Sequence, residues 1–258
     1  MSLAVGSVGA WLVQAFPDIS SNLIAAAIGG VLVWSATNAR RRFKLVRARR
    51  FWRALGDRRP LIVLGAHDFG SHRRWANAGV VGMGDIGALV EIEAQLRRLG
   101  FAGKIVESKQ LSPRELSSDL VLIGGPVANA VTRTMMAKLR GTISYDFAED
   151  PEHEAAVVHD LRSGRSLRPQ YDESGYPFSD HALIIRTPNP LAPDTSELVI
   201  IAGCFEHGTE AAAEKLGERK FLRRLRRMKH FEALIETTVV NGAHYNTKLV
   251  ETRPIPAG

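Results

Sequence analysis

The sequence predicts an α/β fold, in which a mostly parallel sheet of the Rossmann-like or flavodoxin-like type carries β-hairpin additions and follows an N-terminal transmembrane helix. Short apolar runs such as 61–66 (LIVLGA), 120–125 (LVLIGG) and 198–203 (LVIIAG) contain or end in glycine. Continuous apolar strands are typical of parallel sheets that are buried on both faces. Helical patterns lie between these runs, as at 85–99, and this alternation indicates a sheet covered by helices on both sides.

Two segments do not fit a parallel plan. Residues 155–170 are predicted to form a hairpin that turns at Gly164, and residues 231–253 a second one that turns at Gly242. These are the hairpin additions to the sheet. The same patterns predict further strands at 104–108, 143–147 and 182–187, and further helices at 130–139 and 209–216.

Nearly all of the excess positive charge lies in one block. The formal net charge is +7, and residues 40–59 contain ten Lys or Arg against one Asp, whereas residues 1–39 and 60–258 each sum to −1. Proteins that bind duplex nucleic acid usually have a broadly basic surface, so this distribution argues against nucleic acid as a partner. A second basic run, 218–230, has apolar residues at helical spacing and predicts an amphipathic surface helix. A helix that faces a membrane or an acidic partner subunit is the alternative.

The longest apolar stretch precedes the basic block. Residues 23–36 carry no charge, and with the polar residues before them they predict a transmembrane helix at about 19–36. Positive charge directly after the helix predicts a cytoplasmic C-terminal side. The sequence therefore divides into a membrane segment (1–39), a basic juxtamembrane linker helix (40–59) and a cytoplasmic α/β domain (60–258). It predicts a single-pass protein of the cell inner membrane, in contact with the lipid bilayer.

Three alternatives stay open for the N-terminal segment: a cleaved signal peptide, a buried helix of a soluble domain, and a second membrane segment at 3–16. A signal peptide normally has its positive charge before the apolar run, and here the charge comes after it. Small residues four positions apart, Ala25 with Gly29 and Ala26 with Gly30, would allow two such helices to approach closely. A homo-oligomer is therefore expected.

The glycine-bearing loops are the candidate site, because open parallel sheets bind ligands beyond the carboxyl ends of their strands. Glu206 beside His207 is typical of an acid–base pair, and Asp85 opens a predicted helix nearby; these three are the catalytic candidates. The candidate ligand-binding residues are Gly65, His67, Asp68, Gly124, Gly125, Pro126, Asn129, Gly203, Gly208 and Thr209.

Several strong signatures are missing from the sequence. It contains no P-loop, no GxSxG, no HExxH and no CxxC motif, so no metal site is predicted, and the sequence leaves the cofactor open. The one cysteine, Cys204, cannot form an intrachain disulfide, and a buried apolar thiol explains it more readily than a nucleophile does.

Three phrases carry a resemblance to a known family. VLIGGPVANAVT, ALIIRTPNP and LVIIAGCFEHGT resemble a prokaryotic α/β module with a GGPVAN-type loop, found in S-layer-like proteins and in membrane-tethered bacterial proteins, over about residues 60–250. The resemblance implies a Rossmann-like fold and directs attention to Gly124, Gly125, Pro126 and Asn129, and it implies no reaction. The chain lacks the long extracellular body of an S-layer protein.

Three functions are consistent with these observations. The first is a membrane-anchored cytoplasmic module that recognises a nucleotide-like or other anionic small molecule and signals its presence, as in a defence or stress response. The second is a hydrolase or transferase that processes a nucleotide. The third is a non-catalytic scaffold. We expect binding rather than catalysis, because the loops offer no complete set of nucleophile, base and orienting group.

Overall fold

The structure, a computed structural model, describes residues 46–55, 57–66, 80–150 and 155–256. The chain divides into two units at Val46 and Arg47, and the unit Arg47–Gly258 contains every strand and both hydrophobic cores of the described residues. The predicted transmembrane helix at 19–36 and the alternative membrane segment at 3–16 lie outside the described residues.

Within the described ranges, eight strands form the main sheet, in the order β11-β10-β8-β9-β3-β1-β2, with β7 paired to β8. The neighbours β2, β1, β3 and β9 are parallel, whereas β9, β8, β10 and β11 are antiparallel to one another in turn. The strands are β1 (Leu61–Leu64), β2 (Lys104–Glu107), β3 (Leu120–Ile123), β7 (Gln170–Tyr171), β8 (Pro177–Pro188), β9 (Glu197–Gly203), β10 (Phe231–Val240) and β11 (Ala243–Pro254).

The prediction of a mostly parallel, Rossmann-like sheet is therefore wrong. The fold is mixed α/β, and most pairings in the main sheet are antiparallel. The connection between β8 and β9 explains the difference, because it covers only residues 189–196. A parallel crossover needs about a dozen residues or more, so this short segment can only return the chain antiparallel to β8.

A separate antiparallel sheet contains β4 (Tyr145–Asp150), β5 (Ala155–Asp160) and β6 (Arg165–Leu167), in that order. The chain turns between β5 and β6 at Gly164, whose positive φ of 71° suits glycine. Glu232 of β10 anchors β4 to the main sheet, since its buried carboxylate accepts hydrogen bonds from the Ser144 amide and hydroxyl and from the Tyr145 amide, at 2.7 to 3.0 Å.

Helices and the small sheet cover the two faces of the main sheet. Alternate residues of β3 enter different cores: Val121 packs with the helices α1, α2, α5 and α6 on one face, and Leu122 packs with α4 and the small sheet on the other. The helices are α1 (46–55), α2 (Met83–Arg98), α3 (Pro113–Leu116), α4 (Ala130–Leu139), α5 (Glu206–Gly217) and α6 (Arg219–Arg224), with 3-10 turns at Ser108–Gln110 and Leu225–Arg227.

The basic helix α1 packs on the main sheet. Trp52 and Leu55 are fully buried in the helical core, and the Trp52 indole N–H donates to the Gln95 side chain of α2 at 3.2 Å. Of the basic residues of α1, Arg49, Arg50 and Arg53 are exposed and Arg47 is half-buried. The described part of the segment 40–59 is thus an amphipathic helix whose apolar face is buried against protein.

No helix in the described ranges is both long and apolar enough to cross a membrane. This finding stands against the predicted single-pass location in the inner membrane, and the transmembrane helix on which that prediction depended lies outside the described ranges. The predicted signalling role relied on that helix, and nothing in the structure supports it.

Candidate functional site

Five of the predicted site residues line one cavity of about 290 Å³ at the carboxyl ends of β3 and β9. Because these two strands are parallel neighbours, the loops that follow them meet beside the start of α2. We call this cavity the glycine cleft. It is lined by Gly82, Asp85, Gly125, Val127, Ala128, Ala156, Gly203, Cys204, Phe205, Glu206 and Thr209.

The other predicted residues have different surroundings. Gly65 lines a separate cavity of about 380 Å³ on the far side of β1. Gly124, with φ of 96°, allows close approach of Asp85, whose Oδ2 lies 3.1 Å from the position of an added Cβ. Gly208 packs against Asp180. Pro126 and His207 are not among the residues that line the glycine cleft, and residues 67 and 68 lie outside the described residues.

Asp85 is the most perturbed group of the cleft. It lies in the first turn of α2 and is 3% exposed. The pKa of this carboxyl group is raised to about 6, mainly by burial; a hydrogen bond with the Thr209 side chain opposes the rise, and the nearby Glu206 charge adds to it. Asp85 therefore titrates close to neutral pH.

Glu206 supplies a second carboxylate from α5. Its Oε2 accepts the Gly84 amide at 2.9 Å, which joins the first turn of α5 to that of α2. Both carboxylates border Gly82: an added Cβ there would lie 2.9 Å from Glu206 Oε2 and 3.7 Å from Asp85 Oδ2. The cleft thus has two acidic groups beside half-buried glycine backbone.

The helices α2, α4 and α5 begin at the cleft, and side chains of the protein cap their N-termini. Glu206 binds an amide of α2, and Asn129 binds two amides of α4. Asp180 of β8 accepts the Phe205 amide at 3.2 Å and the Gly208 amide at 2.5 Å at the start of α5. Helix N-termini bind anions through such amides, and here those amides are already bonded.

Asp180 was not predicted from the sequence. It is fully buried, and burial raises the pKa of its carboxyl group to about 8. Its position beside α5 depends on the antiparallel pairing of β8 with β9, which the apolar pattern of β8 does not indicate. Cys204, as predicted, is buried, and burial raises the pKa of its thiol, so it is a poor nucleophile at neutral pH.

Asn129 has a structural role. Its side-chain amide donates to the Val63 and Ile123 carbonyl oxygens at 3.2 and 2.9 Å, and its Oδ1 accepts the Val131 and Thr132 amides. The residue is fully buried. It joins β1 and β3 to the start of α4 with every polar atom of its side chain in use.

We expect Asn129→Ala to lower the free energy of unfolding by about 2 kcal/mol or more, because a helix cap and two buried carbonyl partners are lost. Urea denaturation measures this change. Thr134→Ala, which alters an exposed residue of the same helix, is the control and should change stability by less than about 0.5 kcal/mol. Equal stability of Asn129→Ala and wild type would contradict the structural role.

The comparisons with known proteins give a similarity to one family over part of the chain. A family model described as the S-layer like family, outer domain, matches residues 104–219, a segment that runs from β2 through α5. This confirms the S-layer-like resemblance and includes the Gly125, Gly203 and Glu206 walls of the glycine cleft, whereas Asp85 precedes it. No curated protein matches the chain.

Proposed function

We propose that this domain is a small-ligand-binding module and that the glycine cleft is its binding site. The observation that carries the proposal is the pair Asp85 and Glu206 beside glycine backbone, with the pKa of Asp85 raised to about 6 by burial. Carboxyl groups in a cleft whose pKa is raised by burial are typical of functional sites. The volume of about 290 Å³ suits a small molecule.

The charge of the cleft selects the ligand chemistry. Two carboxylates attract a ligand that carries an ammonium group or several hydroxyl donors, because these groups donate hydrogen bonds to acids. A phosphate would meet like charge at Asp85 and Glu206. We therefore assign a cationic or hydroxyl-rich ligand to this site in place of the anionic or nucleotide-like ligand that the sequence suggested.

The GGPVAN loop contributes to the same proposal. Gly125 leaves the floor of the cleft without a side chain, and Gly124 leaves room for Asp85. In this proposal the loop of residues 124–129 is a family feature that positions Asp85 and Glu206. Asn129 fixes the end of this loop through its hydrogen bond to the Ile123 carbonyl oxygen.

Binding of amines and polyols tests the proposal. We expect a primary diamine such as putrescine, or a polyol such as inositol, to raise the melting temperature of the full chain, and calorimetry to give a one-to-one complex. Asp85→Asn and Glu206→Gln should each weaken binding by about tenfold or more, because a hydrogen bond to a charged group is lost.

Glu173→Gln is the matched control, since it removes one acid from an exposed turn between β7 and β8. It should leave binding unchanged. Absence of binding by every amine and polyol, or equal weakening by the control, would contradict the proposal.

Acid–base catalysis is a second candidate function, and the pKa of Asp85 favours it because general acids and bases work best when they titrate near the operating pH. Loss of such a group lowers turnover by about 10² to 10⁴ while binding can persist. Turnover of a bound amine or hydroxyl compound that Asp85→Asn abolishes without loss of affinity would favour the enzyme over the binding module.

A further inference from the structure

A further cavity, of about 540 Å³, lies between α1 and the segment 219–229. We call it the basic groove. Among the described residues, eight cationic side chains line it, and Asp57 is the one acidic residue of the lining. The cationic residues are Arg47, Arg50, Arg53, Arg58, Arg186, Arg226, Arg227 and Lys229.

The basic groove lies at the edge of the sheet opposite the glycine cleft. Arg58 pairs at 2.7 Å with Asp119, which directly precedes β3, and Arg186 lies opposite Val199 near the start of β9. This is the amino edge of the parallel strands, whereas the glycine cleft is at their carboxyl ends. The two cavities are therefore separate sites of one domain.

Four of the eight cations have acidic neighbours. Arg53 pairs with Asp57 at 3.7 Å, Arg186 and Lys229 pair with Glu197 at 3.3 and 3.2 Å, and Arg58 pairs with Asp119. The other four form no ion pair with any residue in the described part of the chain: Arg47 and Arg50 on α1, and Arg226 and Arg227 after α6.

A solvated basic surface is the simplest account of any single exposed arginine. It does not account for the convergence of cations from two segments about 170 residues apart on one concave surface. Like charges on the walls of a cavity repel one another, and a cleft lined by one sign of charge concentrates ions of the opposite sign. The groove is therefore complementary to an anion with several charges.

The floor of the groove is partly apolar and firmly held. Phe51, Leu222 and Leu225 are each at least nine-tenths buried. Buried Arg186 lies over the Phe51 ring, 4.9 Å from its centroid, and donates to the Phe51 carbonyl oxygen at 2.6 Å. The Arg186 Nε also donates to the Glu197 carboxylate at 3.3 Å, which holds the guanidinium in place. Very little of these side chains is open to the groove, so the floor is a rigid base that holds the two cationic rims in place.

We propose that the basic groove binds a small molecule that carries two or more phosphate charges. Its phosphates contact the arginines of the two rims, Arg50 on α1 and Arg226 after α6 among them. The volume of about 540 Å³ is that of a small-molecule site. This site is independent of the ligand proposed for the glycine cleft.

Calorimetric titration of the full chain with three probes tests the proposal. ATP and pyrophosphate carry several phosphate charges, and adenosine carries none. We expect ATP and pyrophosphate each to bind one-to-one, adenosine to show no binding, and the ATP affinity to fall as salt rises from about 50 to about 200 mM because exposed charges are screened.

Substitutions in the groove locate the site. Arg50→Gln and Arg226→Gln alter exposed residues, and each should weaken ATP binding by about tenfold or more. Arg162→Gln removes the same charge from an exposed turn of the small sheet and should have no effect. Thermal unfolding followed by circular dichroism confirms that each variant is folded. Asp85→Asn should also leave ATP binding unchanged, so failure of one proposal is distinguishable from failure of the other.

Three results would overturn the proposal. One is the absence of ATP binding by the folded wild-type chain. Another is equal weakening by Arg162→Gln and Arg50→Gln, which would indicate attraction to overall charge. The third is a short DNA duplex that binds more tightly than ATP and loses affinity with the same two groove substitutions, which would assign the groove to nucleic acid.

Discussion

Arg253→Ala is expected to lower the free energy of unfolding by about 3 kcal/mol or more. Arg253, on β11, donates to both carboxylate oxygens of Asp160 on β5, each at 2.8 Å, and its guanidinium stacks on the Tyr145 ring at 4.3 Å. Its side chain is only 11% exposed. The residue therefore ties the small sheet to the edge of the main sheet.

Loss of this guanidinium leaves charged partners behind. Arg253 holds the pKa of Asp160 well below its usual range, and it also lowers the pKa of Glu251, with which it pairs at 2.8 Å. Removing one partner of a buried ion pair costs about 3 to 5 kcal/mol, because the remaining charge has no compensation. Truncation also exposes the Tyr145 ring that Arg253 covers.

Urea denaturation at neutral pH measures the loss. Arg140→Ala is the control, because Arg140 is 70% exposed and pairs with Asp146 at 3.3 Å; such surface pairs contribute about 0 to 1 kcal/mol. Asp160 has a depressed pKa, so the wild-type advantage should be complete above about pH 4 and decline as acid protonates this carboxylate. An Arg253→Ala protein as stable as the Arg140→Ala control would refute the anchoring role.

The glycine cleft illustrates what the sequence can predict. The runs 120–125 and 198–203 are strands followed by glycine loops, as predicted, and β3 and β9 are indeed parallel neighbours. The run 182–187 has a similar apolar pattern, yet β8 is antiparallel. A strand buried on both faces shows no alternation, so its pattern carries no information about direction. The feature of the sequence that indicates the antiparallel direction of β8 is the short connection 189–196, which is too short for a parallel crossover.

The basic groove illustrates what the sequence cannot predict. The basic runs 40–59 and 218–230 can each be recognised in the sequence by their Lys and Arg content. Taken singly, each run is explained by a surface that faces solvent, a membrane or a partner. Their convergence depends on how α1 and α6 pack over the same core, in which Phe51 and Leu222 both lie. Contacts between segments so distant in sequence follow from the tertiary fold and leave no periodic signal in either segment.

Asp85→Asn is expected to raise the free energy of unfolding by about 2 to 3 kcal/mol at about pH 7.5. The pKa of Asp85 is raised from 3.8 to about 6 in the folded protein, mainly by burial. Below about pH 4 the carboxyl group is protonated in both the folded and the unfolded chain and the penalty is absent. Between about pH 4 and pH 6 the unfolded chain loses its proton first, so wild-type stability falls as pH rises. An amide has no charge to desolvate, so it removes the penalty.

Urea denaturation at about pH 4.5, 6.0 and 7.5 measures this dependence, and the gain in the variant should grow in that order. Glu173→Gln, at an exposed turn, should show no comparable trend. If Asp85→Asn is destabilised at all three pH values, Asp85 stabilises the fold, and the argument for a binding site weakens. If it is stabilised and also loses its affinity for amines or polyols, Asp85 is retained at a cost to stability, as expected for a residue of a functional site.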